Sequence, residues 1–437
     1  MNRVAAIDCG TNSIRLLVAD YDGSGLHELT RRMEIVRLGA GVDRTGELAP
    51  EALARTFAAL RDYAAEIERL GATRVRMVAT SATRDARNRD ELVTGVRAIL
   101  GVDPEVISGE EEAALSFGGA IGDLVGGSGQ FAAPDRVGAP SQPGASDRSE
   151  TRGQPGASGN PGSSDARGGL DRQPGRPGAA GTPTQLGTSG QLGTSGQLGK
   201  IGLSGTGGLS SVATPILLAD IGGGSTELVL GDAHGVRAAR SVNVGCVRLA
   251  ERHLRDDPPT AAQAAAIVAD VHAALDLAAA TVPLTEAATL VGVAGTVTTV
   301  AALAAGLAEY DADRIHLSVT SAEQVAAVTE LLLGMTHDER AALPVMHPGR
   351  VDVIASGALV LRTLVERTGA AAVVASERDI LDGIALALAT SPPALPPAPA
   401  DPPLSAAPSL SAGPSLSAAP PPPAAPSLPT GAGPAAG

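Results

Sequence analysis

Leu217-Leu-Ala-Asp-Ile-Gly-Gly-Gly-Ser-Thr-Glu-Leu-Val-Leu230 is the stretch whose reading decides the fold. An apolar run ends in Asp220, turns through Gly222, Gly223 and Gly224, and resumes as alternating apolar residues, the pattern of two strands joined by a tight loop. Glycine tolerates positive φ and close backbone approach, so consecutive N–H groups can face one concavity suited to a phosphate oxyanion. Asp220 stands where it can hold a divalent cation against that phosphate. Glycines between strands also make ordinary turns, so one such loop leaves both readings open. Val4-Ala-Ala-Ile-Asp-Cys-Gly-Thr-Asn-Ser-Ile-Arg-Leu-Leu-Val-Ala-Asp20 repeats the plan: apolar strand, acid, glycine turn, hydroxyl, apolar strand. The repetition predicts two phosphate-binding hairpins, one per lobe, facing a common cleft.

Between and after these hairpins the patterns alternate between strand and helix. Residues 50–70 carry apolar side chains at helical spacing, with Gly71 as a stop. Residues 75–79 and 289–293 read as strands, and residues 245–254, 260–281 and 296–307 as helices. From about 126 to 213, glycine, serine, proline, aspartate and arginine dominate and Gln-Leu-Gly-Thr-Ser-Gly recurs from Gln185. Such a segment cannot bury enough apolar surface to offset its ordering entropy and is expected to be disordered. The Pro/Ala/Ser tail from Ser391 is expected to be extended and mobile. The organisation expected is a first lobe at 1–121, a disordered insertion at 122–213, a second lobe at 214–375, a helix at 376–390 and a disordered tail at 391–437.

The chain has 437 residues with 54 Gly and 32 Pro, three Phe, three Tyr and no Trp, so its core must be built from Leu, Val, Ile and Ala. A formal charge of −14 excludes a nonspecific nucleic-acid binder, which needs a basic face to release counterions. A polyanionic substrate therefore requires local arginines and a metal, because charges beyond about 8 Å are screened. Cys9 and Cys246 form no disulfide framework. No secretory leader is expected, and no apolar stretch is expected to approach membrane-spanning length. Cytoplasmic placement is expected.

Val106-Ile-Ser-Gly-Glu-Glu-Glu-Ala113 is the third informative stretch. Ser108 is a natural N-cap, Glu111 completes a capping box, and Glu110 suits the helix dipole. Glu112 lies beyond what a cap needs; if one of these acids is catalytic it is Glu112.

In order, the chain resembles the exopolyphosphatase and guanosine pentaphosphate phosphohydrolase family, within the actin, sugar-kinase and heat-shock-chaperone ATPase superfamily. The likeness is carried by residues 6–15, Ala79-Thr-Ser-Ala-Thr-Arg84, residues 107–113, Asp220-Ile-Gly-Gly-Gly-Ser-Thr-Glu227, Gly245-Cys-Val-Arg-Leu249 and Val293-Ala-Gly-Thr-Val-Thr-Thr299. It is most similar to the short, two-domain actinobacterial exopolyphosphatases. The resemblance implies an α/β fold of two ribonuclease-H-like lobes around a central cleft, with the last helix crossing back to the first lobe. It implies hydrolysis of the terminal phosphoanhydride of inorganic polyphosphate, Glu112 as the catalytic acid, and Asp220 and Glu227 as metal ligands. The superfamily turns the acid equivalent to Asp8 toward the metal through water, although Asp8 can equally stabilise its own turn.

The chemistry of phosphoryl transfer to water agrees, since it needs positioning, a proton acceptor and charge neutralisation rather than covalent work by the protein. The residues expected to hold the phosphates are Gly10, Thr11, Asn12, Ser13, Gly222, Gly223, Gly224, Ser225 and Thr226, with Arg15 and Arg84 on the terminal groups because a guanidinium fork matches phosphate oxygens. Arg87, Arg89 and Arg248 are candidates for the path of the remaining polymer. Mg²⁺ is the expected cofactor, with Mn²⁺ as the alternative and no organic cofactor. Thr296 is expected to cap a helix, Cys9 and Cys246 to pack, and His316, His337 and His347 to lie at the surface or at caps. A homodimer is expected, with no nucleic-acid or membrane partner. Guanosine pentaphosphate or tetraphosphate is the alternative ligand. A phosphotransferase of the sugar or acetate kinase type would instead need an acceptor pocket and an adenosine site, and a non-catalytic nucleotide-binding scaffold would tolerate loss of Glu112.

Overall fold

A computed structural model describes residues 2–124 and 212–392. The insertion and tail expected at 122–213 and 391–437 therefore lie almost wholly outside the described residues. The first sheet consists of β1 (Asn2–Cys9), β2 (Ser13–Tyr21), β3 (Leu26–Ile35), β4 (Arg74–Ala79) and β5 (Glu105–Val106), in the order β3-β2-β1-β4-β5. The second consists of β6 (Ile216–Ile221), β7 (Thr226–Asp232), β8 (Gly235–Val242), β9 (Thr289–Val293), β10 (Val319–Ser321) and β11 (Ala372–Ala375), in the order β10-β11-β9-β6-β7-β8. In each, an antiparallel meander opens the lobe and the next strand returns parallel to its first member. The repeated hairpin thus founds two sheets that share a five-strand order, the second adding β10 antiparallel at its edge, and the two-lobed α/β expectation is met.

Side chains alternate across a strand, and both faces of each sheet are used. Ala5, Ile7 and Cys9 pack with the helix Pro50–Leu70, whereas Val4 and Ala6 face Ile380, Leu381, Ile384 and Ala385 of the helix Ile380–Thr390. Leu217, Ala219 and Ile221 join the large core beneath the helices Ala261–Ala279 and Ile354–Thr368. Ile216 and Leu218 face Ala113, Phe117, Ala120 and Ile121 of the helix Gly109–Leu124. The helix carrying Glu112 follows the first sheet in sequence yet buries its apolar side on the second. The helix Ile380–Thr390 makes the reciprocal exchange.

These exchanged helices meet backbone to backbone. A Cβ on Gly119 would sit 1.9 Å from the Asp379 carbonyl oxygen, and one on Gly383 would sit 2.0 Å from that of Leu115. No side chain can occupy either position without displacing main chain.

Two expectations need correction. The helix Ala261–Ala279 is long and apolar enough, by length and composition, to cross a bilayer; its Ile267, Val271, Leu275 and Ala278 instead close the second core. Thr296 is not a cap, because the helix begins earlier, at Ala294–Ala304 with Val293 at its N-cap and no side-chain capping bond. Thr296 is buried in the first turn, where a Cβ on Gly357 would lie 2.5 Å from its hydroxyl oxygen.

Candidate active site

The glycine turns between β1 and β2 and between β6 and β7 are built alike. Gly10 N–H donates to the Ser13 carbonyl at 3.0 Å, and Gly222 N–H donates to that of Ser225 at 3.1 Å. The chain that follows each meander then ties down the loop carbonyls. Thr11 O accepts from Gly39 at 2.8 Å and Asn12 O from Val36 and Arg37 at 3.1 and 2.8 Å; Gly222 O accepts from Cys246 at 3.0 Å and Gly223 O from Val247 and Arg248 at 2.9 and 3.1 Å. Among the described residues, the amides of Thr11, Asn12, Gly223 and Gly224 have no acceptor. Successive open amides with anchored carbonyls make an anion-binding nest. The two nests touch: a Cβ on Gly223 would lie 2.9 Å from Thr11 Cβ, so glycine is what lets the loops approach this closely.

Asp8, Glu112 and Asp220 line one cleft with Gly10, Thr11, Asn12, Ser13, Arg15, Gly222, Gly223 and Ser225. Asp8 and Asp220 are the penultimate residues of β1 and β6, while Glu112 and Ser116 stand one turn apart on the helix Gly109–Leu124. Its start carries the expected capping box, with Ser108 N–H on Glu111 at 2.9 Å and Glu111 N–H on Ser108 Oγ at 3.2 Å. Ser116 Oγ donates to Asp220 Oδ2 at 2.5 Å. Glu227, only 1% exposed, pairs across the strands with Asp220 and accepts from Ser241 Oγ at 2.8 Å.

Other candidates lie differently. Thr226 gives its hydroxyl to the Val244 carbonyl, and Gly224 faces Ser81 and Thr11 behind the loop. Arg84 donates to the Ile107 carbonyl at 2.9 Å and to Glu112 Oε2 at 3.1 Å. Arg15 clasps Asp8 Oδ2 through Nε and Nη2, at 3.0 and 2.7 Å, and reaches Asp379 through Nη1. Arg248 joins the two lobes rather than lining the cleft, holding the Gly224 carbonyl at 2.8 Å, Asp85 at 2.6 Å, and Asp43. Arg87 binds the Thr45 carbonyl at 2.9 Å and Glu47 at 3.2 Å. Both cysteines are buried, His347 caps the short turn Pro348–Arg350, and His316 accepts from Glu377 N–H at 3.2 Å.

The acids repel one another in a low-dielectric wall. Burial raises Glu112 to about 7, with Arg84 pulling down and Asp220 pushing up. Burial and the charge of Asp379 raise Asp220 to about 6, against the Ser116 hydrogen bond. Burial, then Glu112 and Asp220, push Glu227 well above the usual carboxylate range. The Ser225 hydroxyl is near enough to Glu227 to favour its charged form but makes no hydrogen bond of normal geometry.

Uncompensated buried carboxylates are the donor set a hard divalent cation seeks. Asp8 Oδ1 is buried without a hydrogen-bond partner, which leaves one more oxygen for a water or an ion. Among the described residues no three His, Cys, Asp or Glu side chains close around a common point as a ready-made cage. Magnesium suits such a site, because it keeps several waters and takes only one or two carboxylates together with substrate phosphates.

Sequence reasoning passed over Arg350, although it lies within the motif His347-Pro-Gly-Arg-Val-Asp352. It lines the cleft, donates to Thr299 Oγ1 at 2.9 Å, stacks 5.9 Å from the Tyr310 ring centre, and makes no ion pair with a carboxylate among the described residues. Ser116 and Asp379 were also missed, since each acts on a partner far away in sequence.

The family model of Ppx/GppA phosphatases matches residues 17–134 and 203–391. The chain is 42% identical over 403 residues to exopolyphosphatase 2 of Mycobacterium tuberculosis, covering 89% of this chain and 99% of that protein. It is 26% identical over 390 residues to the bifunctional 3-dehydroquinate synthase/phosphatase of Fusobacterium nucleatum, covering 87% of this chain and 46% of that one. Among solved structures, an exopolyphosphatase-like protein superposes with a TM-score of 0.65 at 36% identity, covering 88% of this chain and 97% of that one. An exopolyphosphatase from Cytophaga hutchinsonii, at 20% identity and a TM-score of 0.61 over 87% of this chain and 96% of its own, shares the fold. Taken with the paired nests and the acid-lined cleft between them, these matches mean that the chain belongs to the Ppx/GppA phosphatase family.

Proposed function

We propose that this protein is an exopolyphosphatase, a hydrolase that releases orthophosphate from the end of inorganic polyphosphate. The observation that carries the reading is Glu112 lining the same cleft as both amide nests. The amides of Thr11, Asn12, Gly223 and Gly224, with the Ser13 and Ser225 hydroxyls, hold the terminal phosphate. Arg350, which has no carboxylate partner among the described residues, takes the phosphates that follow. Glu112 accepts a proton from the attacking water as the new P–O bond forms. The anhydride P–O bond breaks, and its electron pair stays on the bridging oxygen of the shortened chain. A base is most effective when its pKa is near the working pH, and burial supplies that for Glu112. Magnesium beside Asp220 and Glu227, and near Asp8 Oδ1, would offset the charge of the phosphate oxygens.

Guanosine pentaphosphate is the alternative substrate for the same cleft. Cytoplasmic placement belongs to the same reading. The test is phosphate release from polyphosphate, guanosine pentaphosphate and ATP in Mg²⁺, with no ADP dependence. Glu112→Gln should lower kcat by about 10²–10⁴-fold and leave the fold intact. Unchanged turnover in that variant would reject Glu112 as the base.

A further inference from the structure

Arg15 was expected on the substrate, yet two buried carboxylates occupy it. Its Nε and Nη2 both address one oxygen of Asp8, at 3.0 and 2.7 Å, so Asp8 Oδ1 is left bare in the cleft wall. Its Nη1 is held by Asp379 Oδ2. Asp379 is itself fixed. It is the N-cap of the helix Ile380–Thr390, its Oδ1 accepts from Leu381 N–H at 3.0 Å, and its own N–H donates to Asp382 at 3.1 Å. It is 4% exposed. Its carbonyl oxygen also abuts Gly119, on the helix that carries Glu112.

We propose that Asp379 is a positioning residue for the hydrolytic site: it fixes the Arg15 fork, and through it turns the bare oxygen of Asp8 toward the position of the divalent cation and its waters. Partners that orient a metal-ligand group from behind commonly matter about as much as the group itself. The assignment gives a use to the acid that closes the stretch Ser376-Glu-Arg-Asp379, which neither the nests nor the proton transfer employ. It rests on the proposed metal-assisted hydrolysis, but its main readout needs no turnover.

Asp379→Asn separates the roles, because Asn caps a helix as well as Asp while lacking the charge that holds Arg15. Titration of the substrate-free protein with Mg²⁺, followed by calorimetry and by melting temperature, should show affinity about 10–100-fold weaker in D379N. The KM for polyphosphate at saturating Mg²⁺ should stay within about twofold. Arg15→Lys keeps a positive charge but not the fork, so it should reproduce the defect, and the double variant should be no worse than either single one. Unchanged Mg²⁺ affinity in D379N would overturn the proposal, as would a raised KM with intact Mg²⁺ binding, which would return Arg15 to the substrate. Should the wild type bind Mg²⁺ but hydrolyse no polyphosphate, the functional reading fails while the Mg²⁺ arm still decides the role of Asp379. A D379N protein that does not fold would be replaced by Asp379→Ser, which keeps a capping hydroxyl.

Discussion

The two glycine hairpins share a turn, a register and a pattern of anchored carbonyls, yet their electrostatics are opposed. In the first, Asp8 faces Arg15 across the ladder; in the second, Asp220 faces Glu227 at the equivalent pair. One lobe offsets its acid in part with Arg15, although burial still holds Asp8 above its usual range. The other sets two buried acids side by side, and both are pushed upward in pKa by burial and by neighbouring acids, Asp379 for Asp220 and Glu112 for Glu227. Unlike charges at this spacing stabilise the ionised state and like charges oppose it. The scaffold thus supplies a phosphate nest twice, but the second hairpin, with two acids and no guanidinium at the equivalent pair, has the greater demand for a cation.

The severest way to break this contrast is to copy the second hairpin's charge into the first. Arg15→Glu would set a new acid between Asp8 and Asp379, and removing one partner of a buried pair costs about 3–5 kcal/mol. Chemical denaturation should show that loss, or the protein should fail to accumulate in soluble form. A stability equal to wild type would mean the Asp8–Arg15 pair compensates nothing.

Glu227→Gln approaches from the other side. Without metal, Glu112, Asp220 and Glu227 have folded pKa values above their ordinary ones, so the native state binds more protons than the unfolded state from about pH 4.5 to about 7. Stability of the metal-free protein should therefore be greatest at the acidic end of this window and fall as pH rises through about 7. Glu227→Gln should flatten that slope, raise the metal-free melting temperature near pH 7.5 by a few degrees, on the order of 2–4 °C per kcal/mol, and reduce the stabilisation by Mg²⁺. Melting curves at several pH values, with EDTA or Mg²⁺, would check all of this; a wild-type slope of opposite sign would show that the acids are compensated by something else.

The smallest effect is expected from the segment between the hairpins. Leu124 and Val212 are joined by a backbone hydrogen bond of 3.5 Å, so the ends that a linker must connect already meet. Replacing residues 125–211 with a short linker should leave phosphate release within about twofold and the melting temperature within a few degrees, because loop length adds only slowly to closure entropy. A larger loss would tie that segment to the contrast between the lobes.

What could be read from the sequence was local. Period-2 runs on either side of glycine turns gave both hairpins, and Ser108 with Glu111 gave the start of the helix that presents Glu112. The rest required the folded chain. The apolar residues of Gly109–Leu124 suit either sheet by composition, and only packing assigns them to the second. Asp379 reaches Arg15 across 364 positions, a separation no spacing rule covers. Arg248 has the residue type of a phosphate ligand but lies opposite Asp43 and Asp85, where it holds the lobes together. Thr296 follows Gly295 as a cap would, but Ala294 takes up a left-handed φ of 68°, which starts the helix early and turns the threonine inward.

The crossing at Gly119 and Gly383 has a mechanical consequence. Because the helix that carries Glu112 is seated on the second sheet, any hinge motion that widens the cleft would carry Glu112 along with Asp220 and Glu227, and leave Asp8 and Arg15 behind. Opening would then keep those three acids together, and each closure would only have to bring the first hairpin, with the bare oxygen of Asp8, back against them.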